Sequence, residues 1–212
     1  MRVVIARTMA EFSMDAYATG LVNGLRTVRP SWDIVDLSPH SVDRRSGSVR
    51  VRAHKAYERF WNFPNTIQRQ QADIYHIIDP AEAHAVYRLQ RKSDSKIVVT
   101  CHDLINFHNQ YNLQGSVQLP LVSRRLWLWA VHGMTQADHI VSVSEATARE
   151  TTKLLNIPAH KITVTPNGVS PLFQPTSPEV AASIRQRHGM AAGTLCLLNV
   201  GSNHPRNNIL II

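Results

Sequence analysis

The sequence predicts an α/β fold, a mostly parallel sheet with helices on both faces. Short apolar runs alternate with segments of helical periodicity along most of the chain, as strand–helix–strand units require. Within residues 96–104, Ile97, Val98, Val99 and Thr100 follow one another without a charged break, which suits a strand covered on both faces. The sequence has no internal repeat and no low-complexity tract.

Residues 2–6 read as a first strand. A helix follows over 12–29, with Met14, Ala18, Leu21, Val22, Leu25 and Val28 at helical spacing until Pro30 stops it. Residues 32–37 are a second strand. A polar, basic loop is expected over 38–52, then helices over 54–63 and 66–71, interrupted at Pro64 because proline lacks the N–H of a helix interior. Residues 73–79 are the third strand, and Pro80 opens a helix over 81–91, where its missing N–H costs nothing. The fourth strand closes at His102 and Asp103. A long loop rich in His, Asn and Gln follows over 106–118. Residues 119–134 form a helix expected to face the core, with Arg124 and Arg125 snorkelling beside Trp127 and Trp129. A strand over 138–143, a helix over 145–155 capped by Ser144, a strand over 161–165 and the turn Pro166-Asn167-Gly168 complete this unit.

The character then changes. Residues 169–178 carry three prolines in ten positions and read as a stiff linker. A helix over 179–188 capped by Gly189 and a buried strand over 194–201 begin a second α/β unit. A lone strand cannot bury its own faces. The chain is therefore expected to be truncated relative to a two-domain parent, or completed by another polypeptide.

The 212 residues are 43% apolar, enough to build a core, yet no apolar run approaches the roughly 18 residues that span a bilayer. Cys101 and Cys196 both fall in expected buried strands without metal-type spacing, so a reducing, cytoplasmic setting is the default. With eleven histidines but no paired ligand spacing, no metal site is expected. His76 and His84 are expected to be structural. The net charge of +8 admits nucleic acid, an anionic membrane surface or anionic small molecules as partners. Between Arg44 and Arg59 lie Arg45, Arg50, Arg52 and Lys55, opposed only by Glu58 and interleaved with or followed by Tyr57, Phe60, Trp61 and Phe63. This segment reads as a solvated basic loop leading into a helix, as a peripheral contact with an anionic membrane, or as a nucleic-acid contact. Nucleic acid is the weakest of the three, resting on charge alone.

In an open α/β sheet, ligands bind beyond the carboxyl ends of the strands. His102 and Asp103 stand there, either as reacting groups or as a pair that fixes a loop. Four features line up after one another: the strand ending in Cys101-His102-Asp103-Leu104, Ile140–Glu145 opening a helix, Lys161–Val169 with its Pro-Asn-Gly-Val turn, and 198–208 with Val200, Gly201, Pro205 and Arg206. Together with Asp79-Pro80 and Ala83-His84, they resemble the retaining, two-lobed (GT-B) glycosyltransferases of family 4 over nearly the whole chain.

The resemblance implies two Rossmann-like lobes facing each other across a cleft. Residues 1–168 would be the acceptor-binding lobe, 169–178 the linker and 179–212 the beginning of the donor-binding lobe. It implies a nucleotide-diphosphate sugar as co-substrate, no further cofactor, and a glycan or lipid-linked acceptor. His102 would lie near the donor sugar, with Asp103 orienting it or the acceptor. Gly201, Arg206 and Asn207 match the turn that holds the donor diphosphate. Asn207 stands where the family has a lysine and cannot supply that charge to a leaving diphosphate. The loop from Arg7 to Asp15 lacks the glycines usual there. Ser144 and Glu145 are candidates for acceptor contact, with helix capping the alternative for Ser144. The function expected is sugar transfer with retention, weak or absent in this chain alone. The alternative is a non-catalytic carbohydrate- or membrane-binding lobe, a remnant of such an enzyme.

Overall fold

Six strands form one sheet: β1 (Arg2–Ala6), β2 (Asp33–Leu37), β3 (Ile74–Ile77), β4 (Lys96–Cys101), β5 (His139–Ser142) and β6 (Ile162–Val164). They pair in the order β2-β1-β3-β4-β5-β6, and every neighbouring pair is parallel. The structure is a computed structural model that describes residues 1–9, 13–41, 48–89, 94–108, 120–169, 173–191 and 193–198. The α/β, Rossmann-like architecture expected from the sequence is the one observed. The strand order turns back between β1 and β3, and this reversal leaves a crevice at their carboxyl ends.

Alternation along β1 divides the core. Val3 and Ile5 pack with Ala18 and Val22 of α1 (Ser13–Val28) and with Ile34. Val4 and Ala6 point the other way, into a larger cluster with Tyr75, Ile77, Val99, Val131 and Met134. Residues from Val3 to Ala6 are all buried, which is why their run carries no polar break.

Helix α2 (Val49–Tyr57) begins inside the segment expected as loop, and it does not stop at Pro64. It runs through a π-helical turn, Glu58–Asn62, into α3 (Phe63–Arg69). The Phe63 N–H donates to the Glu58 carbonyl five residues back. The widened turn changes the register just before the proline, so the ring enters α3 at its first turn, where no N–H is needed. After β3, Pro80 opens a 3-10 turn, Pro80–Ala85, that passes into α4 (Val86–Leu89). Residues 106–108, expected as the start of the long loop, instead belong to the short α5 (Ile105–His108).

Helix α6 (Leu121–His132) is only half a core helix. Ala130 and Val131 are buried, whereas Leu121, Val122, Leu126 and Trp129 are exposed. A 3-10 turn, Gly133–Gln136, leads from it to β5. Helix α7 (Glu145–Leu155) follows β5.

Helix α8 (Pro178–Arg187) is present as expected, with Ser177 as its N-cap and Gly189 at a positive φ of 66° behind it. The strand expected from 194 is not formed over the part that is described. Residues 194–198 pair with no strand among the described residues, and Leu195, Leu197 and Leu198 are exposed, as expected of a segment whose backbone no described strand satisfies. Cys196, expected in a buried strand, is exposed for the same reason.

One close approach fixes α6 against the Pro80–Ala85 turn. A Cβ built on Gly133 would lie 2.1 Å from the Ala83 carbonyl oxygen and 2.6 Å from its carbon. Both are backbone atoms and cannot swing aside. Gly133→Ala should therefore lower the unfolding free energy by roughly 1–3 kcal/mol or more, the usual range for overpacking. Thermal unfolding followed by circular dichroism checks this, and an unchanged midpoint would show that the two backbones do not approach so closely.

Candidate functional site

A cleft of about 230 Å³ opens beyond the carboxyl ends of β3 and β4, lined by Met14 of α1, Asp79, Pro80, Ala81, His102, Asp103, Asn106 and Trp127. It lies by the crevice that the strand order creates. It is smaller than the roughly 300–1,000 Å³ of a typical small-molecule site.

His102 follows directly on β4. Its Nε2 lies 3.0 Å from the Ile78 carbonyl. A carbonyl only accepts, so Nε2 carries the proton and donates, and in the neutral ring Nδ1 is left as the acceptor available to a ligand. Two further contacts hold the residue, one on its ring and one on its backbone. Tyr17 of α1 presents its ring edge-on, with centroids 4.6 Å apart and planes at 89°. The Thr147 hydroxyl donates to the His102 backbone carbonyl at 3.2 Å.

Beneath His102 lies a buried polar knot. The Thr100 hydroxyl, wholly buried in β4, meets His76 Nε2 at 2.8 Å and the Tyr17 hydroxyl at 3.1 Å. With one proton and two lone pairs, Thr100 can donate to at most one of them. Burial, with a smaller contribution from the charge of His102, pushes the His76 imidazole down to about 4. Burial likewise holds His84 at about 4, with its Nε2 donating to the Arg59 carbonyl at 2.9 Å. Both histidines are structural, as expected.

Asp103 accepts from the Ile105 N–H at 3.2 Å and so caps the start of α5. Among the described residues it makes no hydrogen bond to His102. Asp79 plays the matching part at the other rim, accepting from the Ala81 N–H at 2.7 Å. Ser144 is the N-cap of α7, its Oγ accepting from the Thr147 N–H at 3.1 Å. Glu145 is exposed in the first turn of α7, and neither residue lines the cleft. Gly201, Arg206 and Asn207 lie outside the described residues, as do Arg44 and Arg45. Arg7, in the loop that lacks glycines, is clasped by Asp36 through Nε and Nη2 at 2.7 and 2.8 Å. Its charge is met by that carboxylate and is not aimed at the cleft.

Tyr17, Thr100, Trp127 and Glu82 were not singled out by sequence reasoning as parts of a site. Tyr17 carries a signal in retrospect, standing three residues after Met14 on the same helical stripe. Trp127 packs edge-on against Phe107 at 5.1 Å and closes the side of the cleft. Glu82 is buried, 3.1 Å from Arg59 Nε, with its Oε2 unpartnered; burial raises its carboxyl to about 7. The Cys101 thiol, buried under α7, is pushed up to about 12 by that burial and is inert as a nucleophile. Among the described residues no three His, Cys, Asp or Glu side chains converge as metal ligands would.

Residues 25–171, more than half of the chain, match Glycosyltransferase Family 4. The chain belongs to that family. Its fold is similar to those of several solved structures. One is the lipopolysaccharide outer core galactosyltransferase WaaB in apo form, with TM-score 0.53, 15% identity, and coverage of 80% of this chain and 46% of that one. Another is Anabaena HepE in complex with UDP, with TM-score 0.55, 10% identity, and coverage of 89% and 50%. A glycosyltransferase from Rickettsia africae ESF-5 gives TM-score 0.52, 15% identity, and coverage of 91% and 50%. This family-4 chain thus spans about half the length of the solved structures it matches. No curated protein matches it by sequence. At these identities the likeness establishes the fold alone.

The buried groups make stability depend on pH in opposing directions. Between about 4 and 6.5, the unfolded chain binds protons that folded His76 and His84 refuse. Their contribution is complete above pH 6.5 and is lost as the pH falls toward 4. Folded Glu82 instead keeps a proton that the unfolded chain releases, so it reduces stability as the pH rises from 4.5 through 7. Two histidines outweigh one glutamate. Urea unfolding at stepped pH should show the midpoint falling from pH 6.5 to 4, and Glu82→Gln should steepen that fall. A midpoint that stays level in both proteins would show that these groups are solvated.

Proposed function

We propose that residues 1–168 are the acceptor-binding lobe of a retaining glycosyltransferase. The linker is 169–178, and 179–212 begin the donor-binding lobe. The observation that carries this is the fixed His102 ring: its Nε2–H is tied to Ile78 and its Nδ1, which has no hydrogen bond among the described residues, can accept from a sugar hydroxyl, at the sheet edge where α/β proteins bind ligands. Membership of Glycosyltransferase Family 4 supports sugar transfer as the chemistry. The co-substrate is a nucleotide-diphosphate sugar and the acceptor a glycan or a lipid-linked sugar, handled at the cytoplasmic side.

His102 positions the donor sugar through Nδ1. Asp103, which caps α5 and lines the cleft, takes an acceptor hydroxyl, and Ser144 and Glu145 extend the acceptor side. With the Cys101 thiol inert and the Asp103 and Asp79 carboxylates already engaged by the Ile105 and Ala81 amides, the reaction rests on positioning and on stabilising the leaving diphosphate. Gly201, Arg206 and Asn207 are assigned that task. Arg206 supplies a fork of donors to phosphate oxygens, while Asn207 supplies none of the charge of a lysine.

A cleft built from one lobe is half a site, so the 212-residue chain should show no transfer above background across a panel of nucleotide-diphosphate sugars. Robust turnover would falsify the division into lobes. Within any active form that contains this chain, His102→Ala should lower kcat/KM by roughly 10²–10³-fold, as loss of one positioned polar contact does. Its melting temperature should stay within a few degrees of the parent; a collapse in folding would assign His102 to structure instead. A second reading, a non-catalytic carbohydrate-binding lobe, is favoured by Asn207. Acceptor binding with no turnover in any active-form candidate would select it.

A further inference from the structure

Helix α6 turns two tryptophans in opposite directions. Trp127 closes the cleft, whereas Trp129 is 46% exposed on the outer side. Val122, Leu126 and Trp129 follow at spacings of four and three, one stripe along the helix, and Leu121 stands beside them. Leu121 and Val122 are 75% and 72% exposed. The stripe does not end at the helix. Trp129 packs against Phe60 and Tyr87, with centroids 6.1 and 5.5 Å away. Their chain neighbours Trp61 and Arg88 meet next to them, the Arg88 guanidinium 4.6 Å above the exposed Trp61 ring. Tyr57, also exposed, lies four residues before Trp61.

The charge on this face has one sign. No acidic residue occurs between Asp103 and Asp138, so α6 carries only Arg124, Arg125 and His132. From Val49 to Ala72 the sole acid is Glu58, and it is buried with its carboxylate taken up by His40 and Asn62. We infer that the outer face of α6, with Trp61 and Tyr57, docks on an anionic lipid bilayer.

Three features choose that occupant. A second copy of this chain would press arginine against arginine. Nucleic acid would satisfy the arginines and leave Leu121, Val122 and Leu126 in water. The boundary of an anionic bilayer takes both: aliphatic side chains below the headgroups, tryptophan at their level and arginine at the phosphates. At 12 residues, α6 is about 18 Å long, well short of the ~30 Å hydrocarbon core, so it lies along the surface. Tyr57, near the end of the basic segment from Arg44 to Arg59, and Trp61 just after it join this surface; α6 is its larger part. The inference rests on the surface alone and stands whether or not the cleft transfers sugar.

The test is flotation of the 212-residue chain with vesicles of phosphatidylcholine alone and of phosphatidylcholine mixed equally with phosphatidylglycerol. Tryptophan emission is recorded in parallel. The chain should float with the anionic vesicles only, with a blue shift, and added salt should release it. Val122→Asp with Leu126→Asp should lower the partition coefficient roughly tenfold or more, and Arg125→Gln about fivefold. These side chains are exposed, so both variants should keep the parent's melting temperature. No flotation, equal flotation with neutral vesicles, or variants that float like the parent would each overturn the inference. So would a concentration-dependent dimer that the Val122→Asp, Leu126→Asp variant abolishes.

Discussion

Strand β4 is covered on both faces and hydrogen-bonded on both edges, by β3 and β5. The placement of polar groups at the centre of the molecule follows from that confinement. A hydroxyl inside such a strand must find partners in the neighbouring layers. Thr100 does so, reaching His76 on β3 and Tyr17 on α1. Only where β4 ends can an imidazole meet solvent, and the first residue past the strand is His102. The Ile78 carbonyl and the Tyr17 ring then orient its imidazole, and Thr147 holds its backbone carbonyl. The cleft is a consequence of how the sheet is closed off, not an addition to it.

The sequence showed the strands well because burial on both faces leaves a plain mark, an unbroken apolar run, as at Val3–Ala6 and Ile97–Val99. It showed His102 because such runs end abruptly. It did not show the helix running through Pro64, since a π-helical turn is a property of backbone register that residue types do not announce. The two sides of α6 were also hidden. Leu126 and Val131 are equally apolar in sequence, and only the packing of the Pro80–Ala85 turn decides which is covered. Residues 194–198 misled in the opposite way: their leucines have the composition of a core strand, but a strand is defined by its neighbours.

The candidate site was half legible for a related reason. His102 and Asp103 are adjacent in sequence, which suggests that they act as a pair. The structure separates their tasks, giving the imidazole to the Ile78 carbonyl and the carboxylate to the Ile105 amide. Tyr17, by contrast, is 85 residues away in the chain and in ring contact with His102. Long-range proximity of this kind has no trace in local pattern.

The contact at Gly133 has a mechanical consequence. Its Cα faces the Ala83 carbonyl with no side chain between them, so helix α6 and the turn bearing Pro80 and Ala81 behave as one rigid lever. Ala81 sits in the cleft wall, and the far arm of the lever is the row of Val122, Leu126 and Trp129. Whatever the outer face of α6 rests against sets the tilt of the cleft as well. The mouth beside His102 is thereby aimed at a constant angle to that support, with the Gly133–Ala83 backbone contact as the tightest joint.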